Sequence, residues 1–306
     1  MEHADGSKKP EDIFEAVKKA LTVGYRHLDT AELYQTQELV GKAVAESGVD
    51  RDQIFITSKL KGMPCGEYSA VKQRTSSMLK RMSLDRFDLL LMHWPGPETA
   101  NWEADPEDLA KSCDFSWFRE NLKMAWDNML RLKAEGLVRH VGVSNFYPAH
   151  MAELKKQFPS LPPFANQINV DALNQETDFV QSMHKDGIAV IAYRPVAFIP
   201  VYEMAASMGD NTSTVLDDAA KKFGASSKQQ LVLAWLMSRG IRVIPKSASA
   251  ANIQANYDAL SLLGKGELAP DALDPLKEGS EVVAMCQGVD EYAAALKDVA
   301  ANASSR

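Results

Sequence analysis

Four proton-handling side chains lie at or near the ends of apolar runs in the N-terminal third of the chain: Asp29, Tyr34, Lys59 and His93. The runs are YRHLD, QIFITSKL and RFDLLLMHW, each with the length and composition of a short strand. Taken singly, each residue has an ordinary explanation: a helix cap, a packing aromatic, a solvated lysine, a core histidine. Together they form a set with a definite chemistry. A phenol with a pKa of about 10 keeps its proton at neutral pH. A buried ammonium beside it favours the phenolate, and a carboxylate keeps that ammonium charged and in place. Tyr34, Lys59 and Asp29 can form such a relay, with His93 donating to or orienting a substrate oxygen. This is equipment for protonating a carbonyl oxygen, and no metal-ligand spacing competes with it. A hydride is what the four lack, and no side chain supplies one.

For these groups to meet, several strand ends must converge. Apolar residues at helical spacing mark PEDIFEAVKKALTVG, ELVGKAVAES, SAVKQRTSSMLKRM, RENLKMAWDNMLRLKAEG and later segments. Seven strands alternate with them, ending near Asp29, Lys59, His93, Val143, Val170, Tyr193 and Lys246. RFDLLLMHW is nearly continuously apolar, as a strand buried on both faces should be. Such alternation implies βαβ units and a parallel sheet. A doubly wound sheet would want a GxGxxG after a strand, and none is present. A TIM-type α/β barrel fits better, with its reactive groups at the C-terminal strand ends. The first helix has no strand before it, so the expectation is an eight-fold barrel short of its first strand, with two open sheet edges. The alternatives are a barrel left open beside the strands ending at Asp29 and Lys246, a seam plugged by another segment, or a sequence that is an incomplete copy of a longer chain; the reading favours the last, with melting lower than in a form extended by that strand.

The chain has 306 residues, with 34 Lys+Arg against 41 Asp+Glu and a formal net charge of −7. That balance argues against a broad nucleic-acid or anionic-membrane surface, though not against a local basic pocket for one phosphate. No linker or low-complexity block divides the chain, so residues 1–306 read as one domain with a C-terminal helical tail over 263–306. Three cysteines, Cys65, Cys113 and Cys286, stand at scattered spacings that suit free thiols in a reducing compartment. No apolar run reaches the roughly 20 residues of a membrane helix, and the N-terminus has no signal-peptide core, so the reading is cytoplasmic.

The motifs Gly24-Tyr25-Arg26-His27-Leu28-Asp29-Thr30-Ala31, Tyr34, Ser58-Lys59-Leu60 and Met92-His93-Trp94-Pro95 resemble the aldo-keto reductases. The likeness continues through Val141-Gly142-Val143-Ser144-Asn145-Phe146, Asn166-Gln167, Ala192-Tyr193 and Ile244-Pro245-Lys246-Ser247, and covers about residues 11–262. The resemblance implies an (α/β)8 barrel that reduces aldehydes or ketones with NADPH and without metal. Tyr34 would be the proton donor, Lys59 and Asp29 its tuning pair, and His93 the carbonyl-orienting group. Ser144, Asn145 and Gln167 would hydrogen-bond the nicotinamide carboxamide, and Tyr193 would stack on the ring. Lys246 and Ser247 would meet the 2′-phosphate, and Asn256 the adenine. The family's N-terminal hairpin and first strand have no counterpart here. Asn252 stands where the family often has Arg, and Arg194 where it commonly has Ser.

Two other readings compete. A non-catalytic nucleotide-binding or regulatory subunit of the same fold is favoured by the missing strand and opposed by the intact tetrad. A Schiff-base aldolase could use Lys59 or Lys246, but leaves the other motifs without a role. Which aldehyde or ketone is used is not legible; the expected partner is a small-molecule carbonyl substrate, set by the inserts at about 96–117 and 196–212 and by the C-terminal segment. Trp94 is a candidate substrate wall, with Trp102, Trp117 and Phe118 as further candidates. Oligomeric state is not legible.

Overall fold

The first described element is an amphipathic helix, α1 (Pro10–Val23), after which strand and helix alternate. The order is β1 (His27–Asp29), α2 (Gln37–Ala45), β2 (Phe55–Leu60), α3 (Tyr68–Met82), β3 (Phe87–Met92), α4 (Phe115–Ala134) and β4 (Val138–Ser144). It continues through α5 (Pro148–Gln157), β5 (Ala165–Asn169), α6 (Thr177–Lys185), β6 (Ala189–Tyr193), α7 (Ser213–Phe223), α8 (Lys228–Ser238), β7 (Arg242–Ile244), α9 (Ala250–Asp258) and α10 (Leu260–Leu263). This computed structural model describes residues 10–98, 114–200, 213–263 and Leu273.

All seven strands are parallel and pair in sequence order, β1 to β7. The sheet curls into a nearly closed barrel, as the side chains prove. Leu89, Leu91, Ala165 and Ile191 cluster with Phe55, Ala189 and Ile244, so β2, β3, β5, β6 and β7 all contribute to one lumen. The alternate residues point outward. Leu28, Ile56, Leu60, Leu90, Met92, Val141 and Val143 pack under α1 to α5, and Ile168, Val170, Val190 and Ala192 under α6 to α8. All six residues of β3 are buried, in keeping with its nearly continuous apolar run, which only Asp88 interrupts. Among the described residues, β1 and β7 are the two edges of the sheet. They are brought together from outside, where α1 packs on α9 and the Tyr25 and Tyr257 rings lie 5.2 Å apart.

Two expectations change in detail. The last strand ends at Ile244, not near Lys246, because Pro245 has no N–H to extend the ladder. Phe118 is no pocket wall: it is fully buried, 4.7 Å from the His150 ring and 5.5 Å from Phe115 and Phe146. Cys65 is a free, half-buried thiol. Trp102, Cys113, Cys286, most of both inserts, and the tail beyond residue 263 (except Leu273) lie outside the described residues. Among the described residues, no helix is long and apolar enough to cross a membrane.

Gly142 sits at a tight point of the lumen. A Cβ there would come within 2.5 Å of the Ala165 carbonyl oxygen on β5 and 2.8 Å of Leu91 Cδ2. Gly142→Ala should therefore cost about 1–3 kcal/mol, the usual penalty for overpacking a filled core. Urea unfolding of the two forms measures this, and an unchanged midpoint would mean that the lumen has room to spare.

Candidate active site

The period of two along the strands decides which side chains reach the rim. Phe55 faces the lumen, so Lys59 on the same strand does too. Leu89 and Leu91 set the direction for His93, Ala165 for Gln167, and Ala189 and Ile191 for Tyr193. Lys59 is fully buried, and an ammonium has three donors to satisfy. One meets Asp29 Oδ1 in an ion pair, one meets the Thr30 carbonyl oxygen at 3.1 Å, and a side-chain hydrogen bond joins Tyr34. Tyr34 comes from a 3₁₀ turn, Glu32–Tyr34, just beyond β1, and its ring centroid lies 5.1 Å from Lys59 Nζ. Burial alone would lower the Lys59 pKa. Asp29 and Tyr34 outweigh it and hold the pKa above its ordinary 10.5. Lys59 is therefore a charged group throughout the neutral range.

His93 stands one residue past β3, buried, with its ring 5.8 Å from Tyr34 and edge-on to it. Burial, and then the Lys59 charge, push its pKa well below 6.5, so the imidazole is neutral. Its Nδ1 is buried and has no hydrogen-bond partner among the described residues. Trp94 stacks on it at 6.2 Å.

A second layer of hydrogen bonds joins the remaining strand ends. Gln167 Nε2 donates to Asp29 Oδ2 at 2.7 Å, across the lumen from β5 to β1. The Ser144 hydroxyl donates to the Gln167 carbonyl oxygen at 2.8 Å. Asn145, in the left-handed region with φ 61, donates through Nδ2 to the His93 carbonyl oxygen at 2.9 Å and to Ser144 Oγ at 3.3 Å. Its Oδ1 accepts from the Tyr193 hydroxyl at 2.9 Å. Asp29, Tyr34, Lys59, His93, Trp94, Ser144, Asn145, Gln167 and Tyr193 thus form one connected site. Lys246, Ser247 and Asn256 stand apart on the segment after β7. Lys246 is exposed, Ser247 Oγ accepts the Ser249 N–H at 3.1 Å, and Asn256 is half-buried on α9. Among the described residues, no group of three His, Cys, Asp or Glu side chains could hold a metal ion.

Sequence reasoning missed the Thr30 carbonyl oxygen, which carries no signal in residue type. It also missed the links Gln167 to Asp29 and Tyr193 to Asn145, which join residues far apart in the chain.

With this geometry in hand, comparisons with known proteins are informative. A family model described as the Aldo/keto reductase family matches residues 1–267. Methylglyoxal reductase DkgA of Escherichia coli is 31% identical over 259 residues, covering 84% of this chain and 82% of its own. Aldehyde reductase YPR1 of Saccharomyces cerevisiae is 33% identical over 258 residues, covering 81% and 78%. A Bombyx mori aldo-keto reductase, solved in complex with NADP, superposes with a TM-score of 0.72 at 30% identity, covering 90% of this chain and 84% of that one.

The buried pair makes a stability prediction of its own. Asp29→Asn leaves the Lys59 ammonium without its counter-charge, a change that typically costs about 3–5 kcal/mol. In the wild type the raised pKa adds stability below pH 10.5 that is lost above it. In the variant only Tyr34 is left to oppose burial, so the folded pKa of Lys59 falls from its wild-type position. The folded wild type then keeps the proton at pH values where the folded variant loses it, and the difference in stability shrinks as pH rises. Urea unfolding from pH 7 to 10 should show the gap between the two proteins narrowing; a constant gap would mean that Lys59 is not the group left unpaired.

Proposed function

The chain belongs to the aldo/keto reductase family, and on that premise we propose that it reduces an aldehyde or ketone to the alcohol with NADPH, Tyr34 delivering the proton. The observation that carries this reading is the fully buried Lys59, ion-paired to Asp29 and hydrogen-bonded to Tyr34. An ammonium so placed stabilises the phenolate that remains after Tyr34 has protonated a carbonyl oxygen. His93, neutral and buried, is suited to hydrogen-bond that oxygen and hold it toward the Tyr34 hydroxyl. Trp94, stacked on His93, would wall the substrate side. A charged lysine with its donors satisfied is a poor amine nucleophile, which counts against a Schiff-base aldolase at Lys59.

The residues present fit a nicotinamide dinucleotide. Ser144, Asn145 and Gln167 offer a hydroxyl and two amides at the lumen top, the donor and acceptor set that a carboxamide needs. The Tyr193 ring lies in the same network. Lys246 and Ser247 supply a cation and a hydroxyl for a 2′-phosphate, and Asn256 an amide for the adenine. Bound there, the cofactor supplies the hydride. This also agrees with the NADP complex of the Bombyx mori relative. The names of the bacterial and yeast relatives suggest methylglyoxal and other aldehydes as first substrates to try.

NADPH oxidation against a panel of aldehydes and ketones, run beside NADH, tests the activity. Within it, Tyr34→Phe should lower kcat by roughly 10²–10⁴-fold, the usual worth of general acid catalysis, and leave NADPH binding nearly intact. A variant that keeps most of its kcat would remove Tyr34 from the role.

The cofactor preference should favour NADPH, but modestly. Lys246 is a point charge, whereas Asn252, exposed at the start of α9, withholds the bidentate fork of a guanidinium. Asn252→Arg should tighten NADPH more than NADH by fluorescence titration. Equal tightening of both would place Asn252 away from the 2′-phosphate.

A further inference from the structure

Residues 32–37, which carry Tyr34, are gripped at both ends by one helix. Glu32 opens the 3₁₀ turn, and its carboxylate takes the fork of Arg74, Nε to Oε1 at 3.1 Å and Nη2 to Oε2 at 2.6 Å. The same Oε2 accepts the Lys61 backbone N–H at 3.1 Å. At the other end, Gln37 Oε1 accepts from Arg81 through Nε at 3.2 Å and Nη2 at 2.8 Å. Gln37 Nε2 in turn donates to Ser58 Oγ at 3.1 Å, next to Lys59. Arg74 and Arg81 lie two turns apart on α3, hence on one face. Between the clamped ends, Gln35 has φ 54, a left-handed conformation that costs a non-glycine residue about 1–2 kcal/mol and persists where the surroundings hold it.

Arg74 reaches one element further. Its Nη1 ion-pairs with Glu98, in the loop that follows His93. That loop lies hard on Gly62, where a Cβ would be 2.8 Å from the Gly96 carbonyl oxygen and 2.9 Å from Glu98 Cα. One guanidinium thus joins the turn of the phenol to the loop of the imidazole. Burial opposes the Glu32 charge, but the Arg74 hydrogen bonds outweigh it and hold the carboxyl below its ordinary pKa. The clamp is ionised at neutral pH.

We propose that Arg74 and Arg81 are positioning residues for the Tyr34 hydroxyl, acting through Glu32 and Gln37 and, for Arg74, through Glu98. The inference rests on Tyr34 as the proton donor. A shift of about 1 Å in a reacting group can cost 10²-fold in rate. Lysine keeps the charge of arginine but loses the fork that fixes direction. Loss of a solvent-side ion pair that serves stability alone would lower the melting temperature without selecting Tyr34.

The experiment is a double-mutant cycle with Tyr34→Phe, using Arg74→Met and Arg81→Met, with Arg74→Lys and Arg81→Lys as milder variants should a methionine form fail to fold. Each arginine substitution should lower kcat for carbonyl reduction by roughly 10–100-fold, the lysines less than the methionines, with NADPH affinity by fluorescence within about twofold of wild type. In the Tyr34→Phe background the same substitutions should leave the residual rate unchanged. A second readout needs no substrate. The tyrosinate absorbance of each form, less that of its Tyr34→Phe counterpart, isolates the Tyr34 phenol, and its midpoint should move to higher pH when the clamp is cut. A rate loss that persists in the Tyr34→Phe background, or full activity and an unmoved midpoint in the arginine variants, would overturn the proposal. A wild type whose activity ignores Tyr34→Phe would instead defeat the proton-donor reading, and with it this inference.

Discussion

Taking the Lys59 ammonium fully out of water costs several kcal/mol, and the chain offsets this with acceptors drawn from separate elements. Asp29 closes β1, the Thr30 carbonyl follows it, and Tyr34 comes from the turn beyond. The requirement propagates outward. Asp29 is itself a nearly buried carboxylate, and its second oxygen is met by Gln167 from β5. Gln167 offers its backbone carbonyl to Ser144, and Asn145 ties Ser144 to the His93 backbone and to Tyr193. Satisfying one charge in a dry lumen therefore fixes the spacing of β1, β2, β3, β4, β5 and β6 at their C-terminal ends. A half-satisfied network at that depth would cost more than an apolar plug.

What the sequence made legible follows the same logic. Asp29, Lys59 and His93 stand out because strand ends are readable from apolar runs, and strongly polar residues there are conspicuous. The parallel barrel follows from strands alternating with helices, and β3 from its nearly continuous apolar stretch. Hidden from a linear reading were the contacts that depend on the curl of the sheet. Gln167 and Asp29 are four strand positions apart and meet only across a lumen. Arg74 and Arg81 look like solvated charges of an amphipathic helix, and only the fold shows them turned toward Glu32 and Gln37. Phe118 is deceptive for a related reason: an aromatic beside a long polar insert resembles a pocket wall, whereas its helix buries it among Phe115, Phe146 and His150.

The two edges of the sheet bear on the site as well. Asp29 ends β1 and Lys246 follows β7, so the proton relay and the proposed phosphate contact stand on opposite banks of the seam. No ladder joins the banks among the described residues. Their separation is held from outside by α1 against α9, where Tyr257 meets Tyr25. Asn256, the proposed adenine contact, is the immediate neighbour of Tyr257.

The Lys59 charge further separates the duties of the two groups that could give a proton to a carbonyl oxygen. A cation disfavours a second cation beside it, so the His93 imidazolium is suppressed, burial acting first and Lys59 second. The same cation favours an anion beside it, so it would steady the charge left on the proposed donor, Tyr34, after proton transfer. One ammonium therefore acts oppositely on its two neighbours: it leaves the imidazole as a neutral hydrogen-bonding group and favours the phenol as the proposed acid. That is the pattern by which paired titratable groups divide the roles of orienter and donor. It supports Tyr34 over His93 as the proton source on electrostatic grounds, independently of any relative.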